Sequence, residues 1–540
     1  MLRSFKQFFS GPIASTICFL VAWFSRMMLL RIFFDFGSDK LGQVLIARNF
    51  LGGKALTIGQ VSAENLAHQI YAPAIYNPPI GWPPGYSILL SPLLLITSNI
   101  ALACLLLDFI AALIFLIYLR KLLQLLKFDS ANVNLFLLFQ GFIIYNSGPS
   151  DFLGLTFLVM AMFYLVKSYQ ITQFSPALVL MLSVSFIGAA MLRYLYQPVS
   201  FLILFFSIIH ALANGKRRVA VRSFIPLLLL STASLFWFAY QKGYHLHGVY
   251  MAPSATGFFP KNLLLMNPFV LASLFNIHFY TVQLSKLFHQ SYGSIAGIFQ
   301  WTNFLLVVAL TLIYFRFAQK SWRRLKAEHI FLLIGGFACI AIVGGLCFLS
   351  ILHSREVGPP LFRWTYVTPG RYYLFPMLFL QIFVWNWLFV RAHATNTVLL
   401  RIAQAFFALL VCIEILHGSY LIVKKFSSPL VAISKTAEAS AEDKALADYL
   451  ERYDFNRSKL VVSAFTKRFI FYAQLKGAFG FYNPLDLYPD KLRSGERTAL
   501  LLIVTKGEEQ FVSAFLKQPG VRIVTTAGEY NFYEYEIDGH

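Results

Sequence analysis

Two carboxylates stand where the first long apolar segment ends: Asp35, directly behind Phe33-Phe34, and Asp39. Ser38-Asp39-Lys40 opens a helical pattern with Leu41, Val44, Leu45, Phe50 and Leu51 on its apolar side, and Gly52-Gly53 closes it. Ser38 is a suitable N-cap and the glycines a suitable C-cap. Asp39 then falls in the first turn, where the helix dipole favours a carboxylate. That alone could explain it as a helix-end stabiliser. A carboxylate at a membrane boundary is costly unless it is paired or used. The uses open to it are general-base work, acceptor positioning and binding of a divalent metal such as Mg or Mn. Asp151, behind Ser147-Gly148-Pro149-Ser150, repeats the helix-start pattern and is a candidate second acid.

The candidate anion binders are arginines. Arg193-Tyr194 and Arg371-Tyr372-Tyr373 each stand at the edge of an apolar run. A planar guanidinium grips phosphate through paired, charge-assisted hydrogen bonds. Interfacial snorkelling beside an aromatic belt is the ordinary alternative. Arg355, Arg363 and Arg371 share one short loop, which favours an anionic ligand for at least one of them. His245, His247, His278 and His289 show no metal-ligand spacing. No Walker A sequence, dinucleotide fingerprint or GxSxG elbow occurs, which argues against a nucleotide-driven pump and a serine hydrolase.

The surrounding composition belongs to lipid. The chain is 58% hydrophobic and 13% charged, where soluble domains carry roughly 25% charged residues. Its mean hydropathy is +0.64. The net charge of +21 is gathered in short segments between apolar runs, the pattern of loops facing anionic lipid, and this excludes a nucleic-acid partner. Cys18, Cys104, Cys339, Cys347 and Cys412 all lie inside apolar runs and have no CxxC spacing. The first apolar run is too long for a signal-peptide core and reads as a retained anchor.

Apolar runs suited to spanning a membrane lie near 12–34, 99–119, 131–147, 150–167, 176–192, 196–213, 222–241, 301–318, 330–350, 372–390 and 398–423. Gly85–Ser98, short and interrupted by Pro92, reads as a juxtamembrane helix that does not span. With that choice every basic cluster falls on the N-terminal, cytoplasmic side: Arg120/Lys121/Lys127, Lys216/Arg217/Arg218/Arg222, Arg316–Lys326 and Arg391 with Arg401. The expected fold is therefore mainly α, a polytopic membrane protein of about eleven spans with a small C-terminal α/β domain on the outer face. Residues 1–425 form the membrane module, with outer loops 35–98 and 242–300, and 426–540 the extracytoplasmic domain. In that domain 434–453 reads as an amphipathic helix. Strands are expected at Leu460–Phe465, Ala499–Val504, Val521–Thr526 and Asn531–Ile537, with a helix over Glu508–Lys517.

The order of these pieces resembles the GT-C membrane glycosyltransferases, such as lipid A aminoarabinose transferases and protein O-mannosyltransferases. The family pattern of an acid behind the first span, followed by Ala-Arg-Asn and glycines, reads here Asp39…Ala47-Arg48-Asn49-Phe50-Leu51-Gly52-Gly53-Lys54. Its Pro-Pro turn reads Trp82-Pro83-Pro84-Gly85-Tyr86, its later acid Asp151, and its late Arg-Tyr Arg371-Tyr372…Pro376. The resemblance covers roughly 1–425 in layout and is specific around 35–92. Many members carry Asp-Glu where this chain has Asp39-Lys40, so the role of a second acid there does not carry over.

The resemblance implies a multi-pass protein of the cytoplasmic membrane that performs inverting sugar transfer at the outer face. The donor is a polyprenyl-phosphate sugar and the acceptor a lipid, glycan or protein. It implies Asp39 as the catalytic carboxylate and Asp151 or Asp35 as the second acid. Arg371 is first choice for the lipid phosphate, with Arg193, Lys40 and Arg363 beside it, and Pro83, Pro84, Gly85 and Tyr86 shape the loop. The competing reading is a transporter or flippase for a lipid-linked or anionic substrate, with Asp108 as its mid-span acid.

Overall fold

The computed structural model describes residues 9–34, 38–60, 75–77, 83–97, 99–144, 149–243, 277–291, 293–299, 301–302, 305, 331–332, 374–390, 398–426, 459–464, 480–481, 499–505, 509, 513–517, 519–527 and 530–536. They fall into two units. One comprises Met1–Phe33, Asp108–Phe236 and Met251–Ser427, the other Phe34–Leu107, Trp237–Tyr250 and Ser428–His540. The structure is mainly α. Among the described residues six helices are long and apolar enough to cross a membrane: Pro12–Ile32, Ile100–Leu125, Ser150–Gln170, Tyr196–Ala213, Arg217–Lys242 and Leu400–Phe426. Gly85–Ile96, Pro176–Leu192 and Met377–Val390 are apolar but shorter. The expected spans 301–318 and 330–350, apart from residues 301–302, 305 and 331–332, and the helix 434–453 lie outside the described residues.

Local chemistry sets the ends of these helices. α1 (Pro12–Ile32) starts on a proline, which lacks the amide hydrogen that a first turn could not use. α5 (Ser130–Phe142) follows α4 (Ile100–Leu125) and is capped by Asp129, which accepts from the Asn132 amide at 2.7 Å. α6 (Pro149–Gln170) leads to α7 (Pro176–Leu192), which Ser175 caps by accepting from the Leu178 amide. α8 (Tyr196–Ala213) and α9 (Arg217–Gly243) follow. α4 runs six residues past the expected end at 119 and so carries Arg120 and Lys121 on its last turns. α5 stops at Phe142, thirteen residues long, where a run to 147 was expected.

α1, α5 and the last long helix, α12 (Val398–Phe426), pack closely through glycine. A Cβ on Gly141 would lie 2.6 Å from the Ala22 Cα, and one on Gly418 would lie 2.2 Å from the Phe142 carbonyl oxygen. Removing side-chain bulk lets backbones approach where lipid offers no hydrophobic drive. Polar side chains bind the same seam. Ser15 donates to Asn134 Oδ1 at 3.1 Å, and Arg26 donates to the Gln140 carbonyl. From α11 (Leu374–Trp385, ending in a π turn at Asn386–Val390), Gln381 Oε1 accepts from Gln140 Nε2 at 2.8 Å. Trp385 Nε1 donates to Asn132 Oδ1 at 3.1 Å. Each such bond contributes about 0.6 kcal/mol on average in a membrane. The polar face of α5 is therefore turned to neighbouring helices, which explains a short helix with three buried amide side chains.

In the other unit, α2 (Ser38–Leu51) and α3 (Gly85–Ile96) flank a small antiparallel pair, β1 (Ile58–Gln60) and β2 (Ile75–Asn77). Near the C-terminus β3 (Lys459–Ala464), β4 (Gly480–Phe481), β5 (Ala499–Thr505), β6 (Val521–Ala527) and β7 (Tyr530–Glu536) form one sheet in the order β4-β3-β5-β7-β6. β3 runs parallel to β4 and β5, and β7 pairs antiparallel with β5 and β6. A short helix, Ser513–Leu516, stands between β5 and β6.

Candidate functional site

α2 forms where the spacing of Leu41, Val44, Leu45 and Phe50 places it, and Ser38 and Asp39 occupy its first turn. Their side chains, with Asp35, lie outside the described residues. The helix closes through Gly53, whose φ of +74° is one that side chains resist. The Lys54 amide donates to the Asn49 carbonyl at 2.8 Å and the Gly52 amide to Arg48 at 2.8 Å, so the chain reverses as the glycine pair predicts. Two motif residues here act on the backbone. Ala47 is fully buried, and Asn49 Nδ2 donates to the Thr57 carbonyl at 2.9 Å, holding the segment after the turn. Arg48 is partly buried, and that burial lowers its pKa.

Pro83 and Pro84 are both buried, and Pro84 is the N-cap of α3. Gly85 and Tyr86 open its first turn, with Tyr86 fully buried. α3 is twelve residues long, a helix within the expected 85–98 and shorter than a membrane span. Its first turn docks on α2: Ser87 Oγ lies 2.8 Å from both the Gln43 carbonyl and Gln43 Oε1. Positions 39 and 43 are one turn apart, so they share a helix face. The contact that ties α3 to α2 therefore sits one turn below Asp39. Gln43 is fully buried, and its Nε2 has no hydrogen-bond partner among the described residues. Neither Gln43 nor Ser87 was singled out in the sequence; a polar pair just inside the Asp39 and Pro-Pro motifs was the available signal.

Lys40, proposed for phosphate, is 7% exposed, and its Nζ sits 4.0 Å from the centre of the Phe34 ring. An ammonium over a ring face is stabilised by the ring quadrupole.

In the other unit, Asp151 and Arg193 meet. α6 begins with Pro149-Ser150-Asp151 and α7 ends at Arg193, so the antiparallel pair brings both residues to one end. Arg193 Nε lies 2.6 Å from Asp151 Oδ1, with the side chains 11% and 2% exposed. Arg193 is the C-cap of α7 in extended conformation, its amide donating to the Ala189 carbonyl at 3.2 Å. Tyr196 donates from its hydroxyl to the Asp151 carbonyl at 3.3 Å. Gly154 makes room for that ring, since a Cβ there would lie 2.6 Å from it. Asp151, Arg193 and Tyr196 thus form one buried constellation. A carboxylate turned to a guanidinium is a poor ligand environment for a second cation. Among the described residues no three His, Cys, Asp or Glu side chains gather as metal ligands.

Arg363 and Arg371 lie outside the described residues. Asp108 is 7% exposed within α4. Two further buried charges escaped the sequence reading. Arg26 is 1% exposed in α1, and Glu414 is fully buried in α12. The Tyr280 hydroxyl, on α10 (Ile277–Leu287), lies near Glu414; burial first and then the charge of the acid raise its pKa. Each was visible as a lone charge inside an apolar run. Arg222, read as part of a loop cluster, is fully buried. It donates to the carbonyls of Ser168 at 2.8 Å, Ile171 at 2.7 Å and Gln173, closing the C-terminal end of α6.

No protein-family model matches this chain, and no curated protein is similar to it in sequence. Among solved structures, it is similar to ArnT from Cupriavidus metallidurans bound to undecaprenyl phosphate, at 10% identity and a TM-score of 0.45, covering 96% of each chain. The apo state of that protein gives the same values. A second likeness is to the archaeal oligosaccharyltransferase AglB from Archaeoglobus fulgidus, in complex with an inhibitory peptide and a dolichol-phosphate. There the identity is 12%, the TM-score 0.46, and the coverage 97% of this chain and 74% of that one. At these scores the likenesses carry no weight for function, which rests on this chain's own residues.

Proposed function

We propose that this chain is an integral-membrane glycosyltransferase of the GT-C kind, moving a sugar from a polyprenyl-phosphate donor to a lipid, glycan or protein acceptor with inversion. The observation that carries the reading is the unit built by α2 and α3. The helix with Asp39 in its first turn is closed by Gly53 and tied by Gln43 to a Pro-Pro-initiated helix too short to span. Read this way, that device presents a carboxylate at a membrane boundary, where it is costly without a task. In this reading Asp39 orients the acceptor hydroxyl and takes its proton as lipid phosphate leaves. A helix N-terminus stabilises the carboxylate and weakens it as a base, so positioning supplies more of the rate than proton removal.

Arg371 and Arg363 are the proposed phosphate ligands. Asp151 acts as the anchor that fixes Arg193, in place of a second catalytic acid or metal ligand. The protein is proposed to lie in the cytoplasmic membrane with the N-terminus inside and Asp39 outside, a placement that the distribution of basic clusters supports. About eleven spans fit that parity.

The transporter reading would draw on Asp108, Arg26 and Glu414. Arg26 donates to the Gln140 carbonyl of a neighbouring helix and Glu414 lies near Tyr280, which weakens that reading. The deciding experiment deletes the gene and examines surface glycans with lipid-linked sugars. Accumulated polyprenyl-phosphate sugar with an unmodified acceptor supports the transferase. A lipid-linked intermediate held in the inner leaflet supports the flippase and overturns the proposal.

A further inference from the structure

The opposite end of the helical unit from Asp151 carries a second cationic feature that the proposed sugar transfer does not use. The last turns of α4 present Ile117, Arg120, Lys121 and Gln124 along one stripe, spaced three, four and seven residues apart. That stripe faces Phe19 of α1 across an open cleft of about 330 Å³. Among the described residues the lining is two cations, one amide and two apolar side chains, with no acid.

Arg120 is fixed in place. Its Nη2 donates to Ser15 Oγ at 2.8 Å, and Ser15 in turn donates to Asn134, so the guanidinium is held against α1 through a chain of oriented bonds. One hydroxyl satisfies only part of its donor set. Lys121 is exposed, and neither cation is held in an ion pair among the described residues. Two cations lining one cleft repel, and an anion held in it relieves the repulsion.

The surroundings identify the anion's source. The outer flank of α1 beside the cleft exposes Ile13, Ile17 and Leu20, at 75%, 54% and 51%, on a helix long and apolar enough to cross a membrane. Hydrocarbon covers such a flank. Basic pockets between membrane helices at the cytoplasmic boundary take anionic lipid headgroups. We infer that the cleft between Phe19 and the Ile117–Gln124 stripe binds the phosphate of an anionic phospholipid in the leaflet on the N-terminal side. Arg120 and Lys121 grip the phosphate, Gln124 meets the headgroup, and Ile117 and Phe19 contact the acyl chains.

The test uses the purified full-length protein in mixed micelles of equal dioleoyl-phosphatidylglycerol and dioleoyl-phosphatidylcholine, with retained lipid counted by native mass spectrometry during stepwise delipidation. Phosphatidylglycerol should be retained in excess. Lys121→Gln, at an exposed position, should cut that excess about fivefold, and Lys121→Arg should keep it. Lys127→Gln, a cation outside the cleft, should leave it unchanged. Equal retention of the two lipids, an unaltered excess in Lys121→Gln, or an equal loss in Lys127→Gln would each overturn the site. Displacement of the retained lipid by millimolar inorganic phosphate would assign the cleft to a soluble anion instead.

Discussion

Arg193 holds Asp151 across the ends of two antiparallel helices, with a nitrogen–oxygen distance of 2.6 Å and both side chains withdrawn from solvent. Such a pair is costly to break from one side, because the remaining charge is buried without its partner. Asp151→Asn and Arg193→Gln should each destabilise the protein by about 3–5 kcal/mol. The double variant should lose far less than their sum. Thermal unfolding of the four proteins in one detergent gives the cycle, and additive losses would show that the two side chains act separately.

The reaction reading makes a sharper demand on Asp39. Asp39→Asn should lower sugar transfer by a factor on the order of 100 or more, with unchanged protein in the membrane fraction. Asp35→Asn should be milder. Full activity in Asp39→Asn ends the catalytic assignment, whatever the fate of the fold.

Ser87 and Gln43 join α3 to the turn of α2 below Asp39. Ser87→Ala removes a hydroxyl that approaches two oxygens of one residue and should cost about 1 kcal/mol of stability. If the contact serves to orient Asp39, the maximal transfer rate should fall more than the apparent affinity for donor. An unchanged rate with a lower melting temperature would mark the pair as structural only.

How much of this was legible in the sequence depends on the kind of interaction. The long helices were, because length and hydropathy are local properties; α1, α7, α8 and α12 begin where the apolar runs begin. The strands near 460, 499, 521 and 531 were also legible from their β-branched and aromatic runs. α5 was overextended because hydropathy cannot tell that Asn132, Asn134 and Gln140 spend their amides on other helices. Charge parity put Asp151 and Arg193 on one side of the membrane, but a pairing across 42 positions of sequence requires the α6–α7 register. Arg222 shows the reverse error. It counted as a loop cation, while in the fold it closes a helix end.

That role of Arg222 separates it from its neighbour. Arg218 reaches a single carbonyl, Thr172, from an exposed position, whereas Arg222 serves three carbonyls from a buried one. Arg222→Leu should destabilise by at least about 1.5–3 kcal/mol, the range for a hydrogen bond from a charged group, and Arg218→Leu by much less. Equal shifts in melting temperature would reduce Arg222 to one more basic residue of the positive face.

Gly418 marks a close approach of α12 to the end of α5. A Cβ at Gly418 would stand 2.2 Å from the Phe142 carbonyl oxygen, a main-chain atom that cannot swing aside as a side-chain tip could. Gly418→Ala must therefore push α12 away from the end of α5 or shift α5 itself. Overpacking of this kind costs about 1–3 kcal/mol. Gly11→Ala is the control, since nothing lies within 4 Å of its Cβ position and its φ of −70° suits any residue. Because α5 also holds Arg26 through the Gln140 carbonyl, the strain reaches the polar seam. Gly418→Ala should then expose the α1–α5 interface to limited proteolysis or thiol labelling at buried Cys18. Unchanged melting and labelling in Gly418→Ala would show that the α5–α12 contact is looser than the helix spacing states.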